Sequence, residues 1–191
     1  MRAEYRPPPA SLRRVNRLVA FLRAINVGGH NVKMDHLRSL VTGYGLSGVE
    51  TLIASGNLIV DGEQREAAEV ETLLETRLEV DLGYPVATFV RTTAELADLV
   101  ALEPFSAAPG RYYVTFLKEV PSAESVARLL ALRSEAEDFA VVAREVHWLI
   151  RAGFETRLTG TQTQWAALGP GTTRNITTVE KLAKKYPSST R

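Results

Sequence analysis

The chain has 191 residues, 45% of them hydrophobic and 24% charged, a length that suits one domain of upper-middle size or two small ones packed together. It contains no cysteine, which excludes a disulfide scaffold, a thiolate nucleophile, a Cys-ligated zinc and an iron–sulfur cluster. The net charge of +1 hides an uneven pattern: residues 1–17 and 172–191 are each net +4, while 18–171 hold 13 basic and 20 acidic residues, a distribution that weighs against a dedicated nucleic-acid module with a basic folded face.

Residues 1–16, with Pro7, Pro8 and Pro9 in a row, read as a disordered basic tail with no apolar stretch of a secretory signal. No apolar run reaches membrane-spanning length, so a soluble, cytoplasmic protein without membrane contact is expected. The apolar run RLVAFLRAI at 17–25 predicts a buried strand. Leu37, Leu40, Val41 and Tyr44 fall on one helical stripe over 35–44, stopped by Gly45. Strands are expected at 49–54 and 58–60, joined through Ser55-Gly56-Asn57. A second helix over 66–82 ends at Gly83, its run of Glu63, Glu66, Glu69, Glu71, Glu75 and Glu79 reading as a solvated face. A strand at 85–91 completes the order strand, helix, strand, strand, helix, strand, the split βαβ or ferredoxin-like unit, over 17–91.

Residues 92–191 repeat the theme less cleanly. A connecting helix at 93–102 is capped by Thr92 or Thr93 with Glu95 in its first turn. A strand at 112–118, a helix at 122–132 and paired strands at 139–143 and 146–150 follow. A Thr/Gln/Gly-rich stretch then leads to a closing helix at 176–186. The fold class expected is α+β: two ferredoxin-like halves packed together, antiparallel sheets with helices on one face. The halves share no visible sequence identity, so the repeat is one of architecture.

Topology then locates a candidate site. In a split βαβ unit the exit of strand one and the turn between strands two and three lie at the same end of the sheet. Here these are Asn26-Val27-Gly28-Gly29-His30-Asn31 and Ser55-Gly56-Asn57. Glycines permit close backbone approach, asparagines read polar ligands, and Arg23 and Lys33 add positive charge, as does the start of the first helix. Thr173, Arg174 and Asn175, with Thr172, repeat that chemistry before the closing helix, which Thr172, Thr173 or Asn175 would cap. The ligand-binding set is thus Arg23, Asn26, Gly28, Gly29, Asn31, Lys33, Ser55, Gly56, Asn57, Thr173, Arg174 and Asn175, and the partner it suggests is a small anionic or phosphate-bearing molecule. The same residues are also ordinary turn and cap chemistry. No Walker A loop or GxGxxG fingerprint occurs, His30, His36 and His147 lack metal-ligand spacing, and nothing activates Ser55. His147 beside Trp148 reads as structural, and Trp148 and Trp165 as core or half-buried. No metal, cofactor or catalytic residue is assigned. The other reading is a non-enzymatic nucleic-acid or protein interaction module using the basic ends, although RLVAFLRAI lacks the base-stacking aromatic pair of an RNA-recognition sheet.

FLRAINVGGHNVKMDHLRSL, TLIASGNLIV and the late TTRNITTVEKL resemble, in order, the signature segments of an uncharacterised bacterial family, domain of unknown function 1697. The likeness spans 17–186 and implies an α+β fold with ferredoxin-like halves; it implies no activity. Ala24 stands where that pattern has glycine, and Ile176 where it has tryptophan.

Overall fold

The computed structural model describes residues 17–26, 31–52, 56–62, 65–105, 108–155 and 165–188. The elements are β1 (Arg17–Leu22), α1 (Met34–Gly43), β2 (Ser47–Thr51), β3 (Asn57–Asp61), α2 (Ala67–Leu82), β4 (Thr88–Thr92), α3 (Thr93–Ala101), β5 (Gly110–Leu117), α4 (Ala123–Leu130), β6 (Glu137–Val142), β7 (Glu145–Arg151), β8 (Gly171–Asn175) and α5 (Ile176–Lys185). They build two four-stranded antiparallel sheets, ordered β2-β3-β1-β4 and β6-β7-β5-β8. The first is the ferredoxin-like unit expected from the order of its elements. Of the sequence expectations, the N-terminal tail, Gly28, Gly29, His30, Ser55 and Glu63 lie outside the described residues.

One strand departs from the expectation. Gly171-Thr172-Thr173-Arg174-Asn175, read from sequence as a loop and cap, is edge strand β8, paired along β5. It lacks apolar alternation: Thr172 and Arg174 face the junction of the halves, and Thr173 faces the opposite side. Of the three cap candidates, Asn175 caps α5, its side-chain oxygen accepting from Thr177 N at 2.9 Å. Thr92 and Glu95 form the capping box of α3.

The two halves share one register. Leu18↔Thr92, Ala20↔Val90 and Leu22↔Thr88 in the first half recur as Tyr113↔Asn175, Thr115↔Thr173 and Leu117↔Gly171 in the second. Phe21↔Asn57 recurs as Phe116↔Glu145. The sheets face each other across this repeat. Phe21 stacks on its counterpart Phe116 with ring centroids 4.0 Å apart, inside a core that adds Val19, Ile59, Phe89 and Val114 from the strands, Leu96 from α3, and Val179 and Leu182 from α5. The opposite face of the first sheet buries Leu18, Ala20 and Leu22 with Leu37 and Val41 of α1 and Val70, Leu74 and Leu78 of α2. β1 is therefore covered on both faces, which is why its sequence is continuously apolar rather than alternating. A third core lies on the outer face of the second sheet, with Leu129 of α4 against Phe139, Val146, Trp148 and Ile150.

Two arginines stitch the halves reciprocally. Arg91 on β4 is 1% exposed, crosses to the second half and lies 5.5 Å from the Phe116 ring. It donates to Leu117 O at 2.9 Å and pairs through Nε with Glu145 at 2.6 Å. Arg174, at the same place on β8, crosses the other way. It lies 5.5 Å from the Phe21 ring and donates to Leu22 O at 2.9 Å. Its Nε meets Asn57 Oδ1 at 2.7 Å. The repeat thus sets a neutral amide opposite Arg174 where Arg91 has a carboxylate, and burial pushes Arg174 down to about 10.

Candidate functional site

The exit of β1 and the start of β3 do lie at one end of the first sheet: Leu22 N donates to Gly56 O at 2.7 Å. The chain turns sharply after Leu22, with positive φ at Ala24 (65°) and Asn26 (57°). At Ala24 the methyl makes that conformation a strained one. The Asn26 side chain holds the turn by accepting from Val32 N at 2.7 Å.

The described candidate residues divide among three places. Gly56, Asn57 and Arg174 meet at the junction of the halves, where Arg174 also donates to Thr172 Oγ1 and Thr173 O, both at 2.9 Å, and to Gly56 O at 3.4 Å. All five guanidinium N–H groups are thereby engaged within the protein. Asn31 and Lys33 line a depression of about 660 Å³ with His36, Asp81 and Tyr84. Arg23, Thr173 and Asn175 line a cavity of about 1040 Å³ on the outer face of the second sheet. Strand alternation divides Thr173-Arg174-Asn175, turning Arg174 to the junction and its two neighbours to the cavity.

The rest of that cavity was not singled out from sequence. Tyr113, Thr115 and Leu117 of β5, Trp148 and Ile150 of β7, Gly171 of β8, Arg111, Trp165 and the Gly169-Pro170 turn complete its lining. The Thr115 and Thr173 hydroxyls are 2.8 Å apart on its floor. The lining carries two guanidinium groups and no carboxylate. Arg111 donates to Phe154 O at 3.3 Å; the Arg23 side chain has no hydrogen-bond or ion-pair partner among the described residues.

The shared register explains this space. In the first half α2 lies over the β1/β4 face, and two of its glutamates reach the free edge of β4. Glu75 accepts from Thr88 N and Glu71 from Val90 N, each at 2.8 Å. Both carboxylates also take Lys118 Nζ, just after β5, at 2.7 Å. The solvated-face reading of the acidic run therefore fails at Glu71 and Glu75: a helix beside an edge strand turns carboxylates onto unpaired N–H groups. In the second half the counterpart of Lys118 is Arg23, just after β1, and those of Thr88 and Val90 are Gly171 and Thr173. No side chain among the described residues accepts from the N–H of either. Cation and strand edge are retained, and no carboxylate among the described residues lines the space between them.

The family model described as protein of unknown function (DUF1697) matches residues 15–147. The chain belongs to this family. Among solved structures, the conserved bacterial protein SP0830 from Streptococcus pneumoniae is similar, at 22% sequence identity and a TM-score of 0.73 over 90% of this chain and 98% of that one; the likeness is one of fold. No curated protein matches significantly. Among the described residues, no helix is long and apolar enough to cross a membrane, and no group of three or more His, Asp or Glu is placed to hold a metal ion. The sheet face that an RNA-recognition fold leaves open is buried here between the halves.

His147, 1% exposed on β7, meets the Tyr112 hydroxyl at 2.5 Å through Nδ1, and burial holds it down at about 4. The unfolded chain takes up that proton near pH 6.5. Stability is therefore complete above pH 6.5 and falls as pH drops towards 4, by about 3 kcal/mol over the window. Urea unfolding between pH 7 and 4.5 checks this, with His147→Gln expected to flatten the dependence. Glu50 contributes in a separate window. Hydrogen bonds from Arg17 and Tyr186 hold its carboxyl at about 2, so its contribution is lost only as pH falls from about 4.5 towards 2.

Proposed function

We propose that the protein binds a small anionic ligand in the second-sheet cavity, the charged group lying between Arg23 and the free edge of β8 at Gly171 and Thr173. One observation carries this reading: the same fold, in its first half, places two carboxylates between the corresponding cation and strand edge. A carboxylate or phosphate entering the cavity takes over the role of Glu71 and Glu75, accepting from edge N–H groups and a side-chain cation. Arg111 and the Thr115–Thr173 hydroxyl pair add polar contacts along the floor, and Asn175 stands at its end of β8. Asn31 and Lys33, which line the other depression, stay outside this contact set.

Calorimetric titration with inorganic phosphate, phosphosugars and small carboxylates tests the reading. Arg23 is exposed and its side chain has no partner among the described residues, so Arg23→Ala is expected to leave the fold intact. It should weaken anion affinity at least tenfold, the loss of a charge-assisted contact of about 1.5–3 kcal/mol. Equal affinity in wild type and variant, or no binding of any anion by the wild type, overturns it.

A further inference from the structure

We propose that the ligand carries its anionic group on a planar heteroaromatic ring, which lies against Trp165 and presents an acceptor atom to that indole. The proposal rests on the anion reading above and extends it to the remainder of the ligand. Tyr113, Trp148 and Trp165 form a continuous aromatic wall, with centroid separations of 5.4 Å for Tyr113–Trp148 and 5.9 Å for Trp148–Trp165. The register counterparts of Tyr113 and Trp148 in the first half are Leu18 and Val60, both fully buried under helices. Aromatic side chains therefore stand where the second half opens a cavity and aliphatic ones where the first half is closed.

The two indoles differ in their polar atoms. Trp148 Nε1 donates to Glu137 at 3.0 Å, which fixes that ring. Trp165 Nε1 is buried on the cavity wall with no acceptor among the described residues. A buried donor without a partner is uncommon in folded proteins, and none of the described residues supplies this one with an acceptor. A ring nitrogen or ring carbonyl of a flat ligand supplies one, and the ring meets aromatic edges and faces at the same time. One of the two hydroxyls of the Thr115–Thr173 pair donates to the other, which leaves one hydroxyl proton for a second acceptor. A volume of about 1040 Å³ accommodates a ring together with a charged appendage. A nucleoside monophosphate and a heteroaromatic carboxylate share this chemistry.

The chain has two tryptophans, and both line the cavity, so intrinsic fluorescence reports on this site alone. Four probes are titrated: adenosine 5′-monophosphate, nicotinate, adenosine and inorganic phosphate. One of the two heteroaromatic anions is expected to quench saturably and to bind about tenfold or more tighter than phosphate or adenosine; which one does so identifies the source of the anion. Trp165→Phe keeps a ring and removes the N–H, and Trp148 remains as reporter. The variant should bind the heteroaromatic anion about tenfold more weakly, with phosphate affinity, read by calorimetry, unchanged. Arg23-dependent phosphate binding without tighter heteroaromatic binding overturns this proposal and leaves the anion reading standing. Equal affinity of wild type and Trp165→Phe for the heteroaromatic anion removes the role of the N–H. Absence of binding by every probe removes both.

Discussion

Replacing Arg91 with alanine is expected to destabilise the protein by about 3–5 kcal/mol. The Arg91 side chain is among the largest fully buried ones, and its guanidinium makes four contacts, three of them across to the second half. These are Glu145 at 2.6 Å, Val90 O and Leu117 O at 2.9 Å, and Arg144 O at 3.5 Å. Truncation leaves Glu145, only 15% exposed at its side chain, without its cation, and strips donors from carbonyls that have little access to water. Replacing the pair together removes the stranded charge, so Arg91→Met with Glu145→Leu should recover much of the loss. Urea unfolding at neutral pH measures both variants. A loss below about 1 kcal/mol for the single variant contradicts the role given to Arg91.

Arg174→Ala is expected to cost less, about 2–3 kcal/mol, although it breaks five contacts against four for Arg91. The acceptors it deserts, Asn57 Oδ1, Thr172 Oγ1 and the carbonyls of Leu22, Gly56 and Thr173, are all neutral. The comparison with Arg23 is sharper than the magnitude. Arg174 faces the junction and has every donor engaged; Arg23 lines the cavity with its guanidinium engaged by none of the described residues. Arg174→Ala should lower the midpoint of unfolding and, in the folded protein, leave anion affinity within about twofold. Arg23→Ala should do the reverse. Calorimetry and urea unfolding on the two variants make the test, and a loss of anion affinity in Arg174→Ala equal to that in Arg23→Ala contradicts the division of labour.

Much of this fold is legible in the sequence because its signals are local. Leu18 to Leu22 is apolar without alternation since β1 is sandwiched, and Thr92 with Glu95 announces the start of α3. The convergence of Leu22 and Gly56 follows from strand direction alone. What escapes the sequence is set by long-range pairing. β8 has no apolar stripe: one side holds Thr172 and Arg174 against the junction, the other holds Thr173 and Asn175 against open space. Glu71 and Glu75 resemble their solvated neighbours on α2 and differ only in facing a strand edge and Lys118, 47 and 43 residues away. Arg91 is one polar residue in an apolar strand, and its partner Glu145 is 54 residues distant. The repeat itself is invisible as identity and plain as register. Neither the carboxylates at the edge of β4 nor the cavity at the edge of β8 therefore has a sequence signature.

An anion bound in the second half is received at the edge of β8. Amide NMR of the full chain titrated with inorganic phosphate observes that edge directly. Saturable downfield movement of the Gly171 and Thr173 amide protons is expected, largest at these two residues and absent in Arg23→Ala. Saturable shifts that spare Gly171 and Thr173, or that persist undiminished without Arg23, would contradict it.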